Sequence, residues 1–251
     1  MPAVNLLLLE AEDFVADDRA QVRGRRLQHV RTIHRASVGD TLRVGCLGGA
    51  VGVGRIIALR ESLLELEVAC TELPPQPLPV TLVLALPRPP TLKKVIEQGT
   101  AMGIKRFVAI GAARVERSYW TSKVLRPEAL RERFILGLEQ GKDTILPVFE
   151  TWPRFAAFLR ERWPQLRAEG RPLLADVGPR PHWPADIGTG TADLVLVVGP
   201  EGGFIDPEVF ALRDRGAEMV SLGPRVLRVE TAVVALLGHL ISSASVEMPA
   251  V

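Results

Sequence analysis

The chain has 251 residues, enough for one or two domains. Its hydrophobic residues (47%) and charged residues (24%) are in the balance of a folded globular chain and exclude wholesale disorder. A formal net charge of +2 is too small by itself to announce a nucleic-acid partner.

From the amino terminus, Met1–Glu10 contains the run Leu6–Leu9 but no basic flank and no cleavage pattern, so it does not read as a signal peptide. A helix is expected around Gly24–His34. Short β-type runs follow at Thr41–Val44, Val51–Leu59 and Leu63–Val68. Gly39-Asp40, Gly48-Gly49 and Arg60-Glu61-Ser62 punctuate them. A small β-barrel with one helix is the simplest packing of these pieces. Cys46 and Cys70 share no metal spacing and lie in apolar stretches, so they read as buried thiols of a reducing cytosol. Leu73-Pro74-Pro75-Gln76-Pro77-Leu78-Pro79 cannot continue a helix or a central strand. A boundary is expected there, dividing the chain into residues 1–73 and 74–251.

The second piece alternates. Strands are expected at Val80–Leu86, Arg106–Ile110, Pro172–Ala175, Leu194–Val198 and Glu218–Leu222. Helices are expected at Thr91–Met102, Pro127–Gln140, Trp152–Trp163, Pro207–Arg215 and Glu230–Ser242. That order predicts an α/β domain, a parallel sheet covered on both faces. The longest apolar runs, such as Leu78–Leu86 and Ala232–Leu237, fall short of the roughly 18 residues a membrane helix needs. A cytoplasmic protein with no membrane partner is expected.

Charge is distributed unevenly. Arg19–Gly39 holds Arg19, Arg23, Arg25, Arg26, Arg31, Arg35, His29 and His34 without one acid. Arg88–Arg126 is also basic, with Glu97 and Glu116 as its acids. Each stretch reads as a solvated face or as a phosphate-contacting surface, since Arg grips phosphate through two parallel hydrogen bonds.

Two glycine-bearing segments stand out. In Leu194–Phe204 a buried strand runs into Gly199-Pro200-Glu201-Gly202-Gly203, and Asp206 then reads as the cap of a helix with Pro207 in its first turn. Glycines at the carboxyl end of a parallel strand let a ligand approach the backbone. The segment lacks the Gly-Lys-Ser/Thr of a Walker loop and the Gly-x-Gly-x-x-Gly of a dinucleotide site. In Ser221–Ala232, Gly223-Pro224 turns the chain, Arg225 and Arg228 follow, and Glu230 opens an apolar helix. By themselves these three charges read equally as surface groups and a favourable helix start.

The pair GPEGGF-x-x-x-E at Gly199–Glu208 and LG-x-R-x-LR-x-ETA at Leu222–Ala232 resembles the RsmE family, 16S rRNA uridine-N3 methyltransferases of the SPOUT superfamily. Gln28–Asp40, Leu84-Ala85-Leu86-Pro87 and Glu139-Gln140 with Pro147 extend the likeness more loosely. Ala101-Met102-Gly103, Gly141–Thr144 and Pro89-Pro90 depart from the family pattern, outside the two motifs.

The resemblance implies an amino-terminal PUA-like β-barrel that binds RNA and a SPOUT-type parallel sheet with a carboxyl-terminal trefoil knot. It further implies a homodimer, S-adenosylmethionine as cofactor, and ribosomal RNA or the small ribosomal subunit as partner. The cofactor would be held by Leu84, Leu86, Gly199, Pro200, Glu201, Gly202, Gly203, Leu222, Gly223, Val226, Leu227 and Arg228. Arg26, His29, Arg31 and Arg35 would position RNA, with Arg88, Lys93, Arg114 and Arg117 flanking the active site.

Methylation at uridine N3 requires loss of a weakly acidic proton. Glu230 is the candidate base, and Arg225 and Arg228 are candidate stabilisers of the charge left on the ring. No metal is needed, and no His, Cys and carboxylate cluster suggests one. Two other readings fit the same residues: an RNA-binding ribosome-assembly protein with a degenerate site, and a SPOUT enzyme acting on another RNA or another atom.

Overall fold

A computed structural model describes residues 5–34, 36–184, 187 and 193–244. Its first elements are β1 (Leu7–Leu9), β2 (Phe14–Ala16), β3 (Arg19–Val22), α1 (Gly24–His29), β4 (Thr41–Cys46), β5 (Val51–Leu59) and β6 (Leu64–Glu72). Then come β7 (Val80–Ala85), α2 (Pro89–Ala101), β8 (Arg106–Ile110), α3 (Pro127–Gly141), β9 (Val148–Trp152), α4 (Phe155–Ala157) and α5 (Trp163–Glu169). The last are β10 (Arg171–Ala175), β11 (Pro181–His182), β12 (Leu194–Val198), α6 (Asp206–Arg213), β13 (Glu218–Leu222) and α7 (Val229–Ala244). The chain divides into two compact units.

The first unit runs through Gln76 and also takes in Phe134–Leu146, the end of α3 and the turn after it. Its six-stranded sheet has the order β1-β4-β5-β6-β3-β2. The β1–β4 pair is parallel and the others are antiparallel. Alternation along the strands sends Leu7, Leu9, Val44, Ile56, Leu64 and Leu66 into one core with Leu27 of α1. Leu6 and Leu8 point the other way and pack with Val51, Ile135 and Leu138.

The acid-free run Arg19–Gly39 finds its counter-charges elsewhere in the chain. Arg26 grips Asp13 through two hydrogen bonds of 2.6 and 2.7 Å and also donates to the Leu8 carbonyl. Arg25 makes two 3.1 Å bonds to Glu139. Cys46 and Cys70 are half-buried and not fully enclosed. Burial, then a hydrogen bond with Cys46, pushes the Cys70 thiol up to about 12.

The second unit comprises Pro77–Arg133 and the residues from Pro147 onward. Its seven-stranded sheet has the order β11-β13-β10-β12-β7-β8-β9. All neighbours are parallel except β11, which lies antiparallel to β13. Val83, Val108, Leu174, Val195 and Val197 face α5 and α6 through Trp163, Leu166 and Leu212. The opposite face receives α2, where a side chain on Gly99 would come within 3.0 Å of the Phe107 ring. α7 packs alongside α2. Arg162, buried at the end of a π-type stretch between α4 and α5, holds Glu150 at 2.8 and 3.0 Å and Glu169 at 3.1 Å.

Two expectations need correction. The helix expected over Trp152–Trp163 begins only at Phe155, because Val148–Trp152 pairs with β8 as a parallel edge strand. Ile205, not Asp206, caps α6, since Glu208 reaches back to the Ile205 N–H and leaves Asp206 in the first turn. No described helix is long and apolar enough to cross a membrane.

The Arg26–Asp13 pair yields the first prediction. Arg26→Ala leaves Asp13, a carboxylate with a side chain only 10% exposed, without its cation. It should lower the unfolding free energy by about 3 kcal/mol, read as a lower urea midpoint. An unchanged midpoint would show that the pair contributes nothing.

Candidate cofactor and RNA site

Parallel strands all run the same way, so the chain leaves each of them at one edge. In the second unit Ala175, Val198 and Val220 stand in register near the carboxyl ends of β10, β12 and β13. Three loops depart from that edge and line one cleft. They bring Asp176 and Val177 after β10, Gly199–Glu201 and Gly203 after β12, and Leu222, Gly223 and Arg225–Leu227 after β13. The cleft is open to solvent, and its atom-free space of about 720 Å³ includes part of that solvent. Phe204 and Leu236 add apolar wall.

Local chemistry explains the loop shapes. Gly203 (φ +72°) and Gly223 (φ +110°) lie in the left-handed region that favours glycine. The Gly203 N–H donates to the Pro200 carbonyl at 2.8 Å and closes the first turn. The Gly223 N–H donates to the buried Ser221 hydroxyl at 3.0 Å and shapes the second. The third loop is tied down where the Asp176 N–H donates to the Val220 carbonyl at 3.0 Å.

Of the residues expected to hold a cofactor, Gly199, Pro200, Glu201, Gly203, Leu222, Gly223, Val226 and Leu227 line the cleft. Leu84, Leu86, Gly202 and Arg228 are not part of its lining. Leu84 and Leu86 are 3% and 1% exposed: Leu84 lies in β7, central in the sheet and enclosed on both faces, and Leu86 follows directly after it. Gly202 lies under Arg114, and Arg228 stands exposed before α7. Asp176 and Val177 are further cleft residues, and Gly178-Pro179 just after them repeats the Gly-Pro pair that follows β12 and β13. Their signals are that Gly-Pro turn and their position at the carboxyl end of a buried parallel strand.

Among the candidate catalytic groups, Arg225 lies on the cleft. Glu230 is the second residue of α7, and its side chain is 12% exposed. It accepts a hydrogen bond from Lys94 at 3.2 Å. The bond from its own backbone N–H, with that from Lys94, holds its carboxyl below the usual carboxylate range against the effect of burial. A carboxylate so stabilised is a weaker base near neutrality.

The candidate RNA contacts are dispersed by partner. Arg26 is engaged with Asp13, His29 is half-buried, and Arg31 donates to the Glu61 carbonyl at 3.1 Å. Arg35 lies outside the described residues. In the second unit the Arg88 N–H and Nε donate to Glu201 at 3.0 and 3.3 Å. Arg114 donates to the Gly202 carbonyl. Lys93 and Arg117 are exposed.

The family model of the RNA methyltransferase domain matches residues 74–241, and ribosomal RNA small subunit methyltransferase E of Mycobacterium bovis is 32% identical over 222 residues. The chain belongs to the RsmE family of RNA methyltransferases. The Mycobacterium bovis match covers 84% of this chain and 81% of that relative. The protein of the same name from Treponema pallidum is 26% identical, over 96% of this chain and 92% of its own length. In fold, this RsmE-family chain is similar to the crystal structure of a ribosomal RNA small subunit methyltransferase E from Neisseria gonorrhoeae bound to S-adenosyl methionine. That likeness has a TM-score of 0.73 at 18% identity, covering 94% and 97% of the two chains.

Because its carboxyl is held low, Glu230 contributes stability above the ordinary carboxylate range, and that contribution fades as pH falls through its lowered value. Glu230→Gln should therefore cost about 1 kcal/mol at pH 7, and the deficit should shrink toward zero once the pH falls below the lowered value of the carboxyl. Thermal unfolding of both proteins across that range tests this; a deficit that grows on acidification would reverse the sign.

Proposed function

We propose that this chain is an S-adenosylmethionine-dependent methyltransferase that modifies N3 of a uridine in small-subunit ribosomal RNA. The observation that carries the reading is the meeting of the Gly199–Gly203 and Leu222–Leu227 loops on one cleft at the carboxyl edge of the sheet. The names of the relatives point the same way.

The residues present suit such a donor. The cleft has apolar walls at Phe204, Val226 and Leu227 for a flat base, and glycine-bearing turns that leave backbone groups within reach of adenine and ribose. Asp176 supplies a carboxylate on the same cleft, matched to the donor's positive charge. When bound, S-adenosylmethionine supplies an electrophilic methyl group on a sulfonium. The chain's part is to hold the uridine nitrogen in line with that carbon, an orientation effect worth up to about 7–11 kcal/mol in good cases. Arg225 would stabilise the negative charge that spreads over the ring as the N3 proton leaves. Glu230, held low by its helix start and Lys94, anchors the entry to α7 in this reading and leaves the proton to another acceptor.

The rest of the reading concerns architecture and partners. Residues 1–73 would form a PUA-like RNA-binding unit and 74–251 the methyltransferase, with the carboxyl-terminal loops tied in the trefoil knot of SPOUT enzymes. The enzyme would act as a cytoplasmic homodimer.

Calorimetric titration of the protein with S-adenosylmethionine should give saturable heat. Nucleoside mass spectrometry of small-subunit rRNA from a strain lacking this chain should show N3-methyluridine gone. Its persistence would contradict the assignment, and an absence of heat would favour an RNA-binding assembly factor. Arg31→Ala should weaken RNA binding and reduce the slope of log affinity against log salt by about 0.9, with cofactor affinity unchanged. Equal loss of both affinities would contradict that division of labour.

A further inference from the structure

Glu208 is only 7% exposed, and its two carboxylate oxygens serve backbone donors from two different loops. Oε1 accepts from the Ala113 N–H at 2.7 Å, and Oε2 accepts from the Ile205 N–H at 3.1 Å. Ala113 belongs to the loop after β8, and Ile205 ends the glycine loop after β12. One buried carboxylate thus bridges two loops that strand pairing does not join. Burial strengthens each of these bonds and makes losing either one costly.

Next to Ala113, Arg114 reaches over the glycine loop. A side chain on Gly202 would come within 3.0 Å of Arg114 Cδ, and the guanidinium donates to the Gly202 carbonyl. Arg114 therefore covers the turn that Gly203 closes onto Pro200. Phe204, between the two contact points, lines the cleft and packs against Phe155 with ring centroids 6.3 Å apart.

We propose that Glu208 and Arg114 are positioning residues that together clamp the Gly199–Ile205 loop onto the loop after β8, fixing the loop in its donor-binding shape before the donor arrives. The inference rests on the reading of the cleft as an S-adenosylmethionine site, and it gives Arg114 a task other than gripping RNA. A loop already held in its bound shape loses less conformational freedom on binding, so affinity rises without any new contact to the ligand.

The test uses the full chain and four variants: Arg114→Ala, Arg114→Lys, Glu208→Gln and the double variant Arg114→Ala with Glu208→Gln. Arg114 is exposed, so its replacement spares the core. Hydrogen exchange of the 201–205 amides, measured without donor, should quicken about tenfold in Arg114→Ala and Glu208→Gln, the size expected when one hydrogen bond to a charged group is lost. Calorimetry should show S-adenosylmethionine binding weakened about tenfold in both, partly restored in Arg114→Lys, and less than additively weakened in the double variant.

Unchanged exchange and unchanged donor affinity in Arg114→Ala, with a lower affinity for RNA and a shallower salt dependence, would overturn the clamp and return Arg114 to RNA binding. Wild-type protein that takes up no donor would overturn the reading of the cleft instead. The exchange measurement still decides the clamp in that case.

Discussion

The central strands of the second unit are buried and parallel, so every chain exit from them falls on one edge of the sheet. Backbone groups beyond that edge leave the ladder and must find partners in the loops or in a ligand. The site follows from this constraint. Ala175, Val198 and Val220 stand level, their loops diverge from a common line, and the space between them becomes a cleft. Gly203 and Gly223 supply the left-handed turns that bring these loops round, while Ser221, Glu208 and Arg114 tie them in place.

Electrostatics work largely inside each unit. Many arginines that look available along the chain are spent on carboxylates: Arg25 on Glu139 and Arg133 on Glu97, far away in sequence, and Arg162 on the nearer Glu150 and Glu169. Such pairs fix one element against another, and losing one partner leaves the other charge unpaired. What remains for phosphate is a smaller set than the composition suggests, with exposed Lys93 and Arg117 among it.

The strands that bury both faces were legible from the residues alone. Arg106–Ile110, Leu194–Val198 and Glu218–Leu222 form with the bounds their apolar runs indicate, as does Val51–Leu59 with its alternation. The short strands β1, β2 and β3 were not legible, since three or four residues give no period, and β9 was not because its half-exposed residues form no apolar run. Both glycine loops could be read as ligand-facing, because glycine at a strand end has a local cause. The loop of Asp176 carries the same local signal in Gly178-Pro179, and the strand register brings it to the cleft. The partners of Arg26 and Arg88 were not legible: a charge run shows what is exposed to choice, and the fold decides which acid answers it.

The central claim is that the loops after β10, β12 and β13 close on one methyl donor. A crystal structure of the protein grown with S-adenosylmethionine tests it most directly. The account predicts donor density between Asp176, the Gly199–Gly203 turn and the Leu222–Leu227 turn. Density bound elsewhere, with those three loops apart and facing solvent, would contradict it.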